Sequence, residues 1–107
     1  MVVVGKITSG TAGRESALIM LLDDDLTQTP IIRVWSNSAM YSTTNPIQEA
    51  TDVAVTVDGG IFVTGFISNA FSLGGSDCFI LRLNYTLDMI YAKSFGTAGS
   101  HEQCYSI

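Results

Sequence analysis

The chain is poor in charge, in proline and in the residues that form most catalytic and metal sites. Of its 107 residues 14% are charged, and it has two prolines, two cysteines and one histidine. This low charge beside a hydrophobic fraction of 47% excludes a disordered chain and a coiled coil, because both classes are rich in charged residues. Ten acidic against five basic residues also predict that phosphate backbones and anionic lipid are repelled, so we expect no nucleic-acid partner.

The N-terminus and the cysteines limit the class further. The apolar run Met1–Val4 reaches Gly5 and Lys6 too soon for a signal peptide, and no apolar run approaches transmembrane length, so we expect no membrane span. The chain is then cytosolic, or its targeting segment is missing. Cys78 and Cys104 are too few for a disulfide scaffold. Because both lie in predicted strands, we expect two free, half-buried thiols rather than a bridge.

A predicted β-hairpin lies in the middle of the chain. Val53, Val55 and Val57 alternate with smaller or polar residues, and residues 61–68 alternate in the same way. Such alternation over a short run is typical of a strand. Asp58-Gly59-Gly60 separates the two runs and supplies the positive φ that a tight turn needs.

Similar patterns predict eight short strands and no convincing helix. Helical propensity over Ala17–Leu26 competes with one strand, but the acidic run that follows is a turn and not a helix C-terminus. Ser38–Gln48 is polar, contains Pro46, and is predicted to be a surface loop. The eight predicted strands are Val2–Thr8, Ala17–Asp23, Ile31–Asn37, Asp52–Val57, Ile61–Ser68, Cys78–Leu83, Met89–Phe95 and Gln103–Ile107.

The two halves of the sequence are similar to one another. Val3–Thr8 aligns with Val63–Ser68, and Leu18–Asp23 aligns with Phe79–Asn84. The order is kept further along the chain, where Leu26 aligns with Leu87, Arg33 with Lys93, Trp35 with Phe95 and Glu49 with Glu102. The period is roughly fifty to sixty residues, and four strands at this period indicate one blade of a β-propeller.

The second half also resembles the β-propeller repeat family called SBBP. The resemblance is carried by a valine-rich strand, an Asp-Gly turn, Val63-Thr64-Gly65, the Gly74–Asp77 loop, an apolar strand ending in Leu83-Asn84, and Ser94-Phe95-Gly96. The first half lacks the Gly-Gly-x-Asp loop and carries the Ser38–Gln48 insertion.

The resemblance and the repeat imply an all-β, β-propeller-like fold with four-stranded antiparallel blades. The two repeats, about 1–57 and 58–107, would start and end mid-blade. Ile61–Ile67 and Cys78–Leu83 would be middle strands that are apolar on both faces because neighbouring blades cover them. Gly65 and its counterpart Gly5 are expected where a neighbouring blade approaches too closely for a side chain.

Polar clusters that could carry chemistry each have a structural explanation. The carboxylates of Asp23-Asp24-Asp25 could bind a hard cation, but no distal Glu follows at calcium-loop spacing, so we expect a solvated turn. Asn84-Tyr85-Thr86 is an N-glycosylation sequon, used if the protein is secreted. His101 and Cys104 have the separation of half a metal site, but no second pair completes it, and we expect no metal and no cofactor.

Two function classes remain from the sequence. Trp35, Tyr91 and Phe95 could form a ligand platform, although packing between blades is the favoured interpretation. An enzyme, as a fragment of a propeller-scaffold hydrolase or lyase, would require Asp77, His101 and Glu102 to converge in a pocket. No nucleophile elbow, phosphate loop or dinucleotide motif accompanies them, so we expect a non-enzymatic structural or interaction module.

The module is expected to assemble. Two repeats cannot close a ring of the usual size, which is about four to eight blades, and an incomplete blade leaves unpaired edges. We therefore expect a homo-oligomeric ring or filament, or pairing with further chain, with a protein or carbohydrate ligand and an extracellular or cell-surface location. The expected pairing joins Val2, Val3 and Val4 of one copy to Gln103, Cys104 and Tyr105 of another.

Overall fold

A computed structural model describes residues 1–8, 15–35, 47–68, 76–97 and 100–107. Within these ranges the chain forms seven strands and no helix, and so contains no helix able to span a bilayer. The strands are β1 (Val2–Thr8), β2 (Glu15–Leu21), β3 (Ile31–Trp35), β4 (Ile47–Val55), β5 (Ile61–Ser68), β6 (Ser76–Leu83) and β7 (Met89–Phe95). The all-β prediction is confirmed, and the competing helix over Ala17–Leu26 is wrong because β2 occupies Glu15–Leu21.

The strands form two antiparallel sheets, one of three strands in the order β1-β2-β3 and one of four in the order β4-β5-β6-β7. The predicted hairpin joins β4 to β5. Its turn closes with a hydrogen bond from Thr56 N to Gly60 O (2.8 Å), and Gly59 has a φ of 84°, which glycine adopts without a steric cost. As predicted, β5 and β6 are middle strands and β7 is an edge strand.

The core lies between the two sheets. In a strand alternate side chains point to opposite faces, so Ala17 and Ile19 of β2 turn one way while Leu18 and Met20 turn the other. Ala17 and Ile19 are completely buried, and β4 packs against β1 and β2. Fully burying one large apolar side chain contributes about 1.5–3 kcal/mol. The buried members on the second sheet and its turn are Ala50, Ile61, Val63, Ile67, Phe79, Leu81, Leu83 and Leu87.

Two further contacts join β3 to the four-stranded sheet. The ring of Trp35 lies 4.8 Å from the ring of Phe79, centroid to centroid. Arg33 Nη2 lies 3.8 Å from Asp88 Oδ1, in the turn between β6 and β7. One face of the three-stranded sheet is therefore laid onto one face of the four-stranded sheet.

Some predicted strand limits are wrong. β4 begins at Ile47, inside the stretch predicted to be a loop; the rest of that loop, residues 38–46, lies outside the described residues, as do residues 36–37 of the predicted third strand and the glycines Gly74 and Gly75. The predicted strand over Gln103–Ile107 is also wrong, because this segment has no ladder partner in the described part of the chain. It lies on the face of the four-stranded sheet instead.

The prediction of two free thiols is wrong. Cys78 and Cys104 form a disulfide with their Cα atoms 5.3 Å apart. The prediction assumed that both cysteines lie in separate strands, whereas Cys104 lies in an irregular segment that crosses over β6. That segment brings the second thiol to the first.

The two aligned glycines have different surroundings. A Cβ atom built on Gly65 would lie 1.9 Å from Glu49 O and 2.7 Å from the Phe79 ring, whereas one built on Gly5 has no atom within 4 Å. A close approach is therefore present at Gly65 and absent at Gly5. The crowding at Gly65 comes from Glu49 of β4 and Phe79 of β6, in the same sheet, so the predicted cause, a neighbouring blade, is wrong there.

Candidate interaction surfaces

The three-stranded sheet exposes an apolar face on the side away from the core. Residues directly opposite one another in a ladder share a face, and Leu18 pairs with Gly5 and Val34 while Met20 pairs with Val3 and Ile32. Ile32 and Val34 are 51% and 53% exposed. We call this surface the first outer face; it consists of Val3, Gly5, Ile7, Leu18, Met20, Ile32 and Val34.

The four-stranded sheet exposes a second, mixed surface. Cys78, Ile80 and Arg82 point away from the core, and their ladder partners on β5 and β7 do the same. Arg82 lies over the Phe62 ring at 5.0 Å, and Lys93 lies over the Tyr91 ring at 5.7 Å. We call this surface the second outer face; it consists of Phe62, Phe66, Ile80, Arg82, Tyr91, Lys93 and Phe95.

The three aromatic residues singled out in the sequence, Trp35, Tyr91 and Phe95, do not lie on one surface. Trp35 packs between the sheets against Phe79, as expected. Tyr91 and Phe95 are 38% and 52% exposed on the second outer face, so packing does not account for them within this chain.

Residues 101–107, the C-terminal segment, cover part of the second outer face. The disulfide attaches the segment to β6, and Thr51 Oγ1 donates a hydrogen bond to Cys104 O (2.6 Å). Ile107 N donates to Asp52 Oδ2 (2.9 Å), and this hydrogen bond is the main cause that lowers the pKa of Asp52. The Tyr105 ring lies 6.2 Å from that of Phe66. The pairing of Gln103, Cys104 and Tyr105 with Val2, Val3 and Val4 of a second copy stays a prediction.

The three candidate catalytic residues are neighbours in the fold, and none of them lines one of the three cavities described below. His101 forms a parallel bridge with Ser76, and Glu102 N donates to Ser76 O (2.8 Å). His101 is exposed, whereas Asp77 is buried and its carboxylate occupies the space beside Gly96 that a side chain there would need.

Three cavities lined by described residues lie away from the candidate catalytic residues. One of about 140 Å³ lies beside the β4–β5 turn, one of about 90 Å³ beside Trp35, and one of about 260 Å³ beneath the β2–β3 turn. Asp77, His101 and Glu102 line none of these three. The enzyme alternative therefore gains no support from this geometry and stays a prediction.

The acidic run forms a capped turn between β2 and β3. Asp23 accepts hydrogen bonds from Thr27 N (3.1 Å) and Gln28 N (3.2 Å), and Thr27 Oγ1 donates to Asp25 Oδ1 (3.0 Å). In the described part of the chain no three His, Cys, Asp or Glu side chains are placed to hold a metal ion. Cys104 is bonded to Cys78 and so does not serve as a ligand beside His101.

Asp23 makes the β2–β3 turn sensitive to acid. A hydrogen bond from the Asp25 carboxyl when that group is protonated, followed by the amides of Gln28 and Thr27, lowers the pKa of Asp23 from 3.8 to about 2. A carboxyl whose pKa is lower in the folded state stabilises the fold above its unfolded pKa, and this stability is lost as the pH falls through the folded value.

We expect the melting temperature of the Asp23→Asn variant to fall less between pH 4 and pH 2 than that of the wild type. The contribution of Asp23 is lost in this window, whereas Asn does not titrate and keeps one of the two oxygens that accept from Thr27 N and Gln28 N. Melting curves of both proteins at each pH measure this. An equal loss in both would contradict the role of Asp23.

Asn84 is engaged in the corresponding turn between β6 and β7. Its Oδ1 accepts from Thr86 N (3.0 Å) and Asp88 N (2.8 Å) and lies 2.8 Å from Thr86 Oγ1, and its Nδ2 lies 3.4 Å from Asp88 Oδ2. The amide nitrogen is the atom that a glycan would modify, so glycosylation would replace that last, long contact. Glycosylation of Asn84 stays a prediction.

Sequence reasoning missed the first outer face as a site. A signal was present, because Ala17–Leu21 is apolar at consecutive positions and Ile31–Trp35 is interrupted only by Arg33, which is typical of strands covered on both sides. No protein-family model matches the chain, and no curated protein matches it.

Proposed function

We propose that this chain is a non-enzymatic structural module that assembles by stacking its two outer faces head to tail. The assembly would join further copies, or further chain, into a ring or filament of propeller-like blades. The observation that carries the proposal is a correspondence between surfaces. Each outer face is equivalent, by the sequence repeat, to a face that is already packed in the core.

The ladder registers support the repeat. Gly5 pairs with Leu18 in the first sheet, and the aligned residues Gly65 and Phe79 pair in the second. Leu18 then pairs with Val34, and Phe79 with Ser94, which is one residue before the aligned aromatic in each sheet. The turns also correspond, since Leu26 and Leu87 have left-handed φ values of 58° and 64°, which are uncommon for leucine. These matches favour two repeats of one blade, about 1–57 and 58–107.

The equivalence assigns a partner surface to the first outer face. Val3 and Leu18 of this face align with Val63 and Phe79, which are completely buried against the three-stranded sheet. The same face of the repeat is therefore covered in the second repeat and exposed in the first.

The opposite relation holds for the second outer face. Its residues Ile80, Lys93 and Phe95 align with Ile19, Arg33 and Trp35, which form the inner side of the three-stranded sheet. Repeating the contact made within the chain would lay the first outer face of one copy onto the second outer face of the next. Such a contact joins two different patches, so it propagates into a closed ring or an open filament.

The position of the C-terminal segment agrees with this arrangement. It lies against Phe66 of β5 and Cys78 of β6, much as β4 lies against β1 and β2. In the stacked arrangement it would take the place of an innermost strand beside β1 of the next copy. An extracellular or cell-surface location belongs to the same proposal and rests on the family resemblance alone.

The first test is the mass of the protein in solution. We expect the weight-average mass measured by light scattering to rise with concentration, because a single copy leaves the first outer face, and the part of the second around Phe95, exposed. Val34→Glu should keep the protein monomeric, since it places a charge in the centre of an apolar contact. Val57→Glu is the matched control, because Val57 is fully exposed in the β4–β5 turn and lies on neither face. A wild-type protein that stays monomeric would overturn the proposal.

A further inference from the structure

The contact between the two sheets contains an ion pair. The second outer face carries the residue equivalent to its cation, but the described part of a single copy offers that residue no carboxylate. Arg33 of β3 reaches Asp88 of the β6–β7 turn, with Nη2 and Oδ1 3.8 Å apart. Lys93 is the aligned residue of β7 and lies on the second outer face. In the described part of the chain no carboxylate forms an ion pair with Lys93.

The β2–β3 turn carries a carboxylate at the position that corresponds to Asp88. With Leu26 aligned to Leu87, Thr27 corresponds to Asp88 and Asp25 corresponds to Thr86. Thr27 Oγ1 donates to Asp25 Oδ1 (3.0 Å), and Thr86 Oγ1 donates to Asp88 Oδ2 (2.8 Å). Both turns therefore keep a hydrogen-bonded Thr and Asp pair, with the two residues interchanged.

The interchange leaves a negative charge in the right place. The Asp25 carboxylate is one hydrogen bond away from the side-chain position that Asp88 occupies in the other turn. The turn beside it carries two more carboxylates, Asp23 and Asp24, and Asp24 is fully exposed. A cation arriving on the first outer face next to this turn would meet an acidic surface, so Lys93 and the β2–β3 turn are complementary in charge.

We infer that Lys93 of one copy pairs with Asp25 in the β2–β3 turn of a second copy, and that this pair fixes the register of the head-to-tail contact. The inference rests on the proposed function. The same superposition brings Phe95 against Leu18 of the second copy, as Trp35 lies against Phe79 within the chain. The second outer face is thus occupied by the first outer face of a second copy. The ion pair of Lys93 with Asp25 and the contact of Phe95 with Leu18 fix the position of one copy on the other.

A charge-swap series on the full chain tests the inference. Lys93→Glu should weaken self-association, measured by sedimentation velocity, by about fivefold to twentyfold, because it replaces a solvent-exposed attraction by a repulsion. Asp25→Lys should weaken it similarly. The double variant Lys93→Glu with Asp25→Lys should restore association to within about twofold of wild type, since the reversed pair forms at every contact.

The control for rescue is the double variant Lys93→Glu with Asp24→Lys. It has the same net charge as the rescuing pair but carries the new cation one residue away, on a side chain that points into solvent. Melting curves establish that each variant is folded. Rescue by Asp25→Lys that exceeds rescue by Asp24→Lys supports the inference.

Three outcomes count against it, and they are distinguishable. If wild type assembles and Lys93→Glu has no effect, the register is wrong while the proposed function stands. If both double variants are rescued equally, the effect is one of net charge and the specific pair is wrong. If wild type does not assemble at any concentration, the proposed function itself fails and the inference fails with it.

Discussion

Gly65→Val is expected to destabilise the protein by about 3 kcal/mol or more, toward the upper end of the cost of overpacking a core. The added Cβ would lie 1.9 Å from the backbone oxygen of Glu49 and 2.7 Å from the Phe79 ring. A ring can move, but the Glu49 carbonyl belongs to β4 and is held by the ladder next to the bulge. The strand pairing itself must shift to admit the side chain.

Gly5→Val is the matched control. Gly5 is the aligned residue, it pairs with Leu18 in the same way, and a Cβ there has no atom within 4 Å. We expect its effect on the free energy of unfolding to stay within about 0.5 kcal/mol, or to be slightly stabilising because valine favours a strand over glycine. Urea unfolding of both variants measures the difference. Equal destabilisation of the two variants would contradict the assigned packing.

Removing the disulfide is expected to produce the other large effect. Cys78 and Cys104 are 26 positions apart, and closing a loop of this size stabilises a fold by about 3–4 kcal/mol in the chain-entropy description. The Cys78→Ser with Cys104→Ser variant should lose most of this amount. The C-terminal segment would then be held by two hydrogen bonds, from Thr51 Oγ1 to Cys104 O and from Ile107 N to Asp52 Oδ2. Hydrogen bonds at a surface open readily.

Two measurements check the role of the disulfide. Urea unfolding should give a lower midpoint for the double variant, and hydrogen exchange should show loss of protection at the Ile107 amide. Wild type treated with a dithiol reductant is the control and should match the variant. A variant whose stability lies within about 1 kcal/mol of oxidised wild type would show that the segment is held without the bridge.

The strand pattern of this protein is readable from its sequence because alternation and turn residues are local signals. Asp58-Gly59-Gly60 predicts the hairpin, and the structure places the left-handed φ at Gly59. The order of middle and edge strands follows in part, since the middle strand β5 carries no charged residue whereas the edge strand β7 carries Lys93. These features depend on residues a few positions apart.

What the sequence did not predict depends on contacts between distant residues. Gln103–Ile107 alternates like a strand, but a covalent bond to Cys78 and a hydrogen bond from Thr51 hold Cys104 over the sheet. Gly5 and Gly65 are the same residue in aligned positions, yet the Glu49 carbonyl of β4 and the larger partner Phe79 crowd the second one. The first outer face was visible as an apolar stretch, but its exposure depends on which side of the sheet the core occupies.

Mixing two variants that each lack one outer face tests head-to-tail stacking most directly. Val34→Glu blocks the first outer face and Phe95→Glu blocks the second, at residues that are 53% and 52% exposed. Each variant alone should be monomeric in sedimentation velocity, and an equimolar mixture should form a one-to-one dimer, because one variant keeps the face that the other needs. A dimer formed by either variant alone, or a mixture that stays monomeric at concentrations where wild type assembles, would contradict the proposed contact.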